Sequence, residues 1–146
     1  TQIQQVARNR NFEHIYIWEK YLTDLFSTAD FSFESSEKDF SQAHIGITTC
    51  EALIARTGSV LISSGNLSGR RLSIYPHIHI VVAKTSQIVY DIKDGLEMLR
   101  QKYDQSLPSM ICLETGPSRT ADIEKTLVLG AHGPKELLVF LIDDSI

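Results

Sequence analysis

The sequence predicts an α/β protein with an open, mainly parallel sheet flanked by helices. Two observations carry that expectation. Short segments that are apolar almost without interruption, such as Ile78–Ala83 and Leu137–Ile142, suit strands covered on both faces. Between such segments lie stretches whose apolar residues recur three and four apart, the spacing of one helix face. The 146 residues, 42% hydrophobic and 22% charged, suffice for one domain with a proper core. Within it, residues 1–42 read as an N-terminal helix and connector, and 43–146 as the core.

From Phe12 to about Phe26, Ile15, Trp18, Leu22 and Leu25 recur with Glu19, Lys20 and Asp24 between them, which predicts an amphipathic helix. Ser27–Ser41 reads as connector. Ala43–Ile47 suits a short buried strand, and Thr48-x-x-Glu51 then reads as a capping box opening a helix over Ala52–Arg56. Thr57–Ser63 supplies the next β-branched run, with Gly65, Asn66, Ser68 and Gly69 in the turn after it. His77–Ala83 and Gln87–Tyr90 are strand candidates. Asp91 can cap a helix carrying Ile92, Leu96 and Leu99 on one face. Ser109–Leu113 is a strand leading into a Gly116-Pro117 turn, followed by a helix with Ile123 and Leu127 on one side, and Leu137–Ile142 closes the pattern as a strand.

Charge and cysteine usage narrow the function classes. Fourteen basic against 18 acidic residues leave a formal charge of −4, and no dense basic cluster extends beyond Arg70–Arg71, so no nucleic-acid partner is expected. Cys50 and Cys112 are isolated, as in a reduced cytosolic protein with no disulfide framework or iron–sulfur site of its own. No apolar stretch approaches the ~18–20 residues of a membrane span. The chain opens at Thr1 without a cationic segment followed by an apolar one, and the expected location is cytoplasmic.

Ligands of open α/β sheets bind beyond the carboxyl ends of strands, which singles out Arg56–Ser59, Gly65–Arg71, Thr115–Glu124 and Gly130–Pro134. The stretch Thr115–Glu124 carries the most chemistry. Gly116 and Pro117 shape a turn, Ser118 or Thr120 can cap a helix, and its first free N–H groups together with Arg119 suit a small carboxylate or other anion. Asp122 offers the alternative of a structural pair with Arg119 three residues earlier. His132 stands between Gly130 and Gly133, where a titrating imidazole can approach a ligand or simply be solvated. His77 and His79 share a strand face, a pattern that can chelate but has no neighbouring carboxylate or cysteine pair, and no metal is expected. Cys50 reads as a small buried residue. Gly65–Gly69 matches neither a P-loop nor a dinucleotide fingerprint.

TGPSRTADIE at Thr115–Glu124 and GAHGP at Gly130–Pro134, with Thr57-Gly58 and with Pro76 and His79-Ile80 opening a strand, resemble the LUD-domain family, its lactate-utilisation protein C group in particular. The likeness spans roughly Ile45 to Asp143. It implies a fold similar to the sugar-phosphate isomerase and CoA-transferase superfamily. It also implies a role in oxidising L-lactate to pyruvate, in a bacterial cytoplasmic system whose other subunits carry iron–sulfur clusters. Its recurrent positions fall on Thr57, Gly58, Pro76, His79, Gly116, Pro117, Ser118, Arg119, Thr120, Asp122, Glu124, Gly130, His132, Gly133 and Pro134. The pattern has Glu before the Thr-Gly pair, where this chain has Arg56.

The expected site therefore binds a small carboxylate through Ser118, Arg119 and Thr120, with Thr57, Gly58, Gly116, Glu124, Gly130 and Gly133 around it. His79 or His132 would exchange a proton, and Asp122 would orient Arg119 or His132. Two other readings stay open. One is a scaffold or regulatory subunit that binds the iron–sulfur-bearing subunits without its own catalysis. The other is a CoA- or acyl-transferase-like enzyme with Glu114 as carboxylate nucleophile.

Overall fold

The computed structural model describes residues 1–145, with Asp122 and Ile123 described by backbone alone. In chain order the elements are α1 (Gln2–Asn9), β1 (Ile15–Ile17), α2 (Lys20–Ser27), β2 (Ile45–Thr48), β3 (Ala52–Ile54), β4 (Ser59–Ser63), β5 (Ile78–Lys84), β6 (Ile88–Val89), α3 (Ile92–Tyr103), β7 (Ile111–Glu114), β8 (Arg119–Ile123), β9 (Thr126–Leu129) and β10 (Glu136–Ile142). A central sheet in the order β1-β2-β5-β10 is parallel throughout. A second sheet, β6-β3-β4-β7, is mixed, and β8 and β9 form a separate hairpin.

The period of two along β5 explains how these layers stack. Ile78, Ile80 and Val82 pack with Ile45 and Ile47 of β2 against Ile3 and Ala7 of α1 and Leu22 and Phe26 of α2. On the opposite face, Val81 and Ala83 meet Val60 and Ile62 of the second sheet. The far side of that sheet offers Ala52, Ile54 and Leu61 to Leu99 of α3. Helices thus cover the outside of each sheet, and the sheets cover each other. The α/β class and the mainly parallel central sheet are as expected.

Three expected helices take another form. Over Phe12–Phe26 the chain instead builds β1 and then α2: Ile15 and Ile17 pack on one face of the central sheet and Tyr16 and Trp18 on the other, which the period of two along a strand allows. Leu25, expected on the buried face, is exposed. A helix does precede this segment: Thr1 caps α1 by accepting from the Gln4 N–H in a capping box. Ala52–Arg56 likewise becomes β3, with Ala52 and Ile54 facing α3 and Leu53 facing the central sheet. The expected helix after Pro117 is the hairpin β8–β9, turned at Glu124 and Lys125, both at positive φ. Its Leu127 and Leu129 are exposed, so among the described residues no buried apolar face supports a helix there.

Candidate functional site

Glu114 ends β7 opposite Val60, whose side chain lies between the sheets, so Glu114 is aimed inward. On the central sheet His79 lies between Gly46 and Leu137 in register and points toward the second sheet. The two meet: His79 Nδ1 lies 2.7 Å from Glu114 Oε2. A carboxylate only accepts, so Nδ1 carries the proton and Nε2 faces the Thr48 hydroxyl at 2.8 Å. The imidazole is fully buried, whereas Glu114 keeps 16% of its side chain exposed.

That exposed edge opens into a cavity of about 220 Å³ lined by Glu114, Gly116, Ser118, His132, Gly133 and Pro134. Of the two carboxylate oxygens of Glu114, only Oε2 has a hydrogen-bond partner among the described residues. Backbone bonds join the two glycine-rich segments: the Ser118 N–H donates to Pro134 O at 2.8 Å, and the Gly130 N–H to Ser118 O at 2.9 Å. A Cβ at Gly133 would lie 3.0 Å from that of Ser118, so glycine there lets the segments close up.

The remaining expected residues are spread over other parts of the fold. Thr57 and Gly58 form the β3–β4 turn outside the cavity, yet they are linked to it. Thr57 Oγ1 lies 2.7 Å from Ser59 Oγ, and Ser59 Oγ lies 2.9 Å from Thr115 Oγ1, beside Glu114. Arg119 and Thr120 sit on β8, exposed and half-buried, and Glu124 is at the far tip of that hairpin. The anion site expected from free N–H groups at a helix start is corrected accordingly, because the segment is extended strand. The side chain of Asp122 lies outside the described residues. His77 is exposed ahead of β5, its ring beside His44 and Phe12, and so does not share a site with buried His79. Arg56 donates to Asp91 at 2.7 Å, and Asp91 caps α3 by accepting from the Ile92 N–H. That backbone bond and the Arg56 guanidinium hold the Asp91 carboxyl below its usual range.

Among the described residues, no three His, Cys, Asp or Glu side chains are grouped to hold a metal ion. The cysteines occupy separate places, Cys50 buried between the sheets and Cys112 exposed on β7. Burial pushes the Cys50 thiol up to about 12, which excludes it as a thiolate nucleophile at neutral pH. No described helix is long and apolar enough to cross a membrane.

Two stacked sheets with a buried imidazole orienting a carboxylate under two joined glycine-rich segments define an α/β domain with a built polar pocket. The chain belongs to the LUD domain family, whose profile matches residues 1–142. It is similar to "Lactate utilization protein C" of Bacillus subtilis (strain 168), 36% identical over 113 residues that cover 76% of this chain and 47% of the relative. The protein of the same name from Bacillus licheniformis is 36% identical over 105 residues, 70% of this chain and 44% of the relative. The chain thus spans about half the length of these curated relatives. A 1.70 Å crystal structure of a DUF162 family protein from Deinococcus radiodurans shares the fold, with a TM-score of 0.59 at 22% identity over 92% of this chain and 79% of that one.

Proposed function

We propose that the chain serves lactate utilisation by binding a small carboxylate, lactate or pyruvate, in the cavity at the end of β7. The observation that carries this reading is the Glu114–His79 pair: buried His79 holds one carboxylate oxygen of a residue that also lines the cavity. A 2-hydroxy acid has a hydroxyl proton to lose, and Glu114 is placed to accept it. His79, fully enclosed, is a positioning residue that fixes the orientation of Glu114. His132 and Ser118 line the cavity as donors for the ligand's carboxylate, whereas Arg119 is exposed on β8 and is not part of the lining. Oxidation of L-lactate to pyruvate removes two protons and two electrons. In this reading Glu114 takes the hydroxyl proton, the Cα hydrogen leaves with its electron pair to a hydride acceptor outside this chain, and iron–sulfur clusters on partner subunits would carry those electrons onward. The names of the relatives support the lactate role.

A ligand of the native state raises its apparent stability, so a thermal-shift titration with L-lactate and pyruvate tests the proposal. Tm is expected to rise with either compound, and the rise is expected to shrink in Ser118→Ala and to vanish in the double variant Ser118→Ala, His132→Ala. Absence of any shift in the wild type would overturn the binding site and favour a scaffold subunit. The same exposed carboxylate also suits acyl transfer. A covalent acyl group trapped on Glu114 with a CoA thioester would favour that second reading.

A further inference from the structure

All four strands of the central sheet end at a crevice that the family motifs do not reach. Glu19 follows β1 by two residues, Thr49 and Cys50 follow β2, Lys84 ends β5 and Ile142 ends β10, and all of them line a cavity of about 430 Å³. The motif cavity lies at the other end of the same sheet, since Pro134 precedes β10 and His79 opens β5. The volume is within the range of small-molecule sites, and the carboxyl ends of parallel strands are where open α/β sheets bind ligands.

The walls are fixed from several directions. The Glu19 carboxylate accepts from the Thr49 N–H at 3.2 Å and from the hydroxyls of Thr49 and Ser68, which ties the strand ends to the loop after β4. Gln87 is held at both ends of its amide: Nε2 donates to Cys50 O at 2.6 Å, and Oε1 accepts from the Lys84 N–H at 2.8 Å. Two cations come from different elements. Lys102 of α3 is held by Glu51 at 2.8 Å, and Lys84 Nζ rests 5.1 Å from the centre of the Tyr21 ring with no carboxylate partner among the described residues. Glu51 is paired with Lys102 and Glu19 takes neutral N–H and O–H donors, so Lys84 is the cation left without a carboxylate partner among the described residues.

We infer that this crevice is a second small-molecule site, taking an organic anion that carries a phosphate or carboxylate group and is larger than lactate. Lys84 and Lys102 receive the anionic group, and Asn66 and Tyr21 border the rest of the ligand. The test is isothermal titration calorimetry of the whole chain with phosphoglycolate and with malate, one phosphate probe and one dicarboxylate probe. Saturable one-site binding of at least one probe is expected, with affinity lowered about tenfold or more in Lys84→Ala. It should be restored in Lys84→Arg and unchanged in Glu114→Gln. Lys84 supports no buried carboxylate, so its loss does not threaten folding. Failure of both probes to saturate, or a Lys84→Ala affinity equal to the wild type's, would overturn the site. Loss of binding in Glu114→Gln would overturn it too, by placing the probe in the motif cavity.

Discussion

Two carboxylates tie the layers together at the level of single side chains, and their surroundings differ. Glu114 bridges the sheets and stays partly open, as a reacting group must. Glu51 is buried and takes three donors, from Lys102 at 2.8 Å, Ser63 at 2.6 Å and Tyr103 at 2.6 Å. Burial alone would raise its pKa, but these hydrogen bonds more than offset that, and the carboxyl lies below its usual range. A group depressed in the folded state stabilises above its unfolded pKa, and that stability is lost as pH falls through the folded value. Glu51→Gln is therefore expected to lower stability at neutral pH and to flatten its fall as pH drops below the ordinary carboxylate value of 4.5. Urea titrations above and below that value check the sign; an unchanged slope would remove Glu51 from the acid response.

Among the elements, β2 and the β8–β9 turn each meet a backbone demand that a substitution can test. Gly46 of β2 faces the segment leading into β5, where a Cβ would stand 2.5 Å from Leu72 O and 2.7 Å from Pro76 Cγ. Gly46→Ala should cost about 1–3 kcal/mol through overpacking, measured by chemical denaturation, while leaving secondary structure intact. The β8–β9 turn places Glu124 and Lys125 at φ of 52° and 57°, which non-glycine residues adopt at a cost. The two-residue turn with both φ positive favours Asn-Gly. Replacing the pair by Glu124→Asn and Lys125→Gly is expected to add about 1 kcal/mol and to slow amide exchange along the hairpin. Faster exchange in the variant would contradict the turn geometry.

For the molecule as a whole, β5 is the shared member. It pairs with β2 and β10, presents Ile80 to the helices, and presents Val81 and His79 to the second sheet. Ile80→Ala should cost about 2–5 kcal/mol, because the surrounding close-packed strand cannot collapse into the space. The loss should appear equally in near-ultraviolet and far-ultraviolet circular dichroism, as one transition. Separate midpoints for the two signals would show that the layers unfold independently. The two candidate pockets also belong to this scale. They lie at opposite ends of β5, so a substitution in one is expected to leave the other's geometry alone.

How much of this was readable in advance follows from the range of the forces involved. Local patterning sufficed for β5, β10 and α3. Their apolar runs or helical spacing and the Asp91 cap are strong signals within about ten residues. The linked glycine-rich motifs equally marked the residues that line the motif cavity, since Gly116, Ser118, His132 and Gly133 do meet there. Local pattern misled at Ile15–Trp18, Ala52–Ile54 and Arg119–Leu129, where burial between layers, pairing with a distant strand or, among the described residues, lack of a buried apolar face decides the form. Nor could spacing place His79 against Glu114, 35 residues apart, or gather Glu19, Lys84 and Lys102 around one crevice. Those neighbours arise from strand order and register, which are set by long-range packing of whole layers and leave no trace in any short stretch of chain.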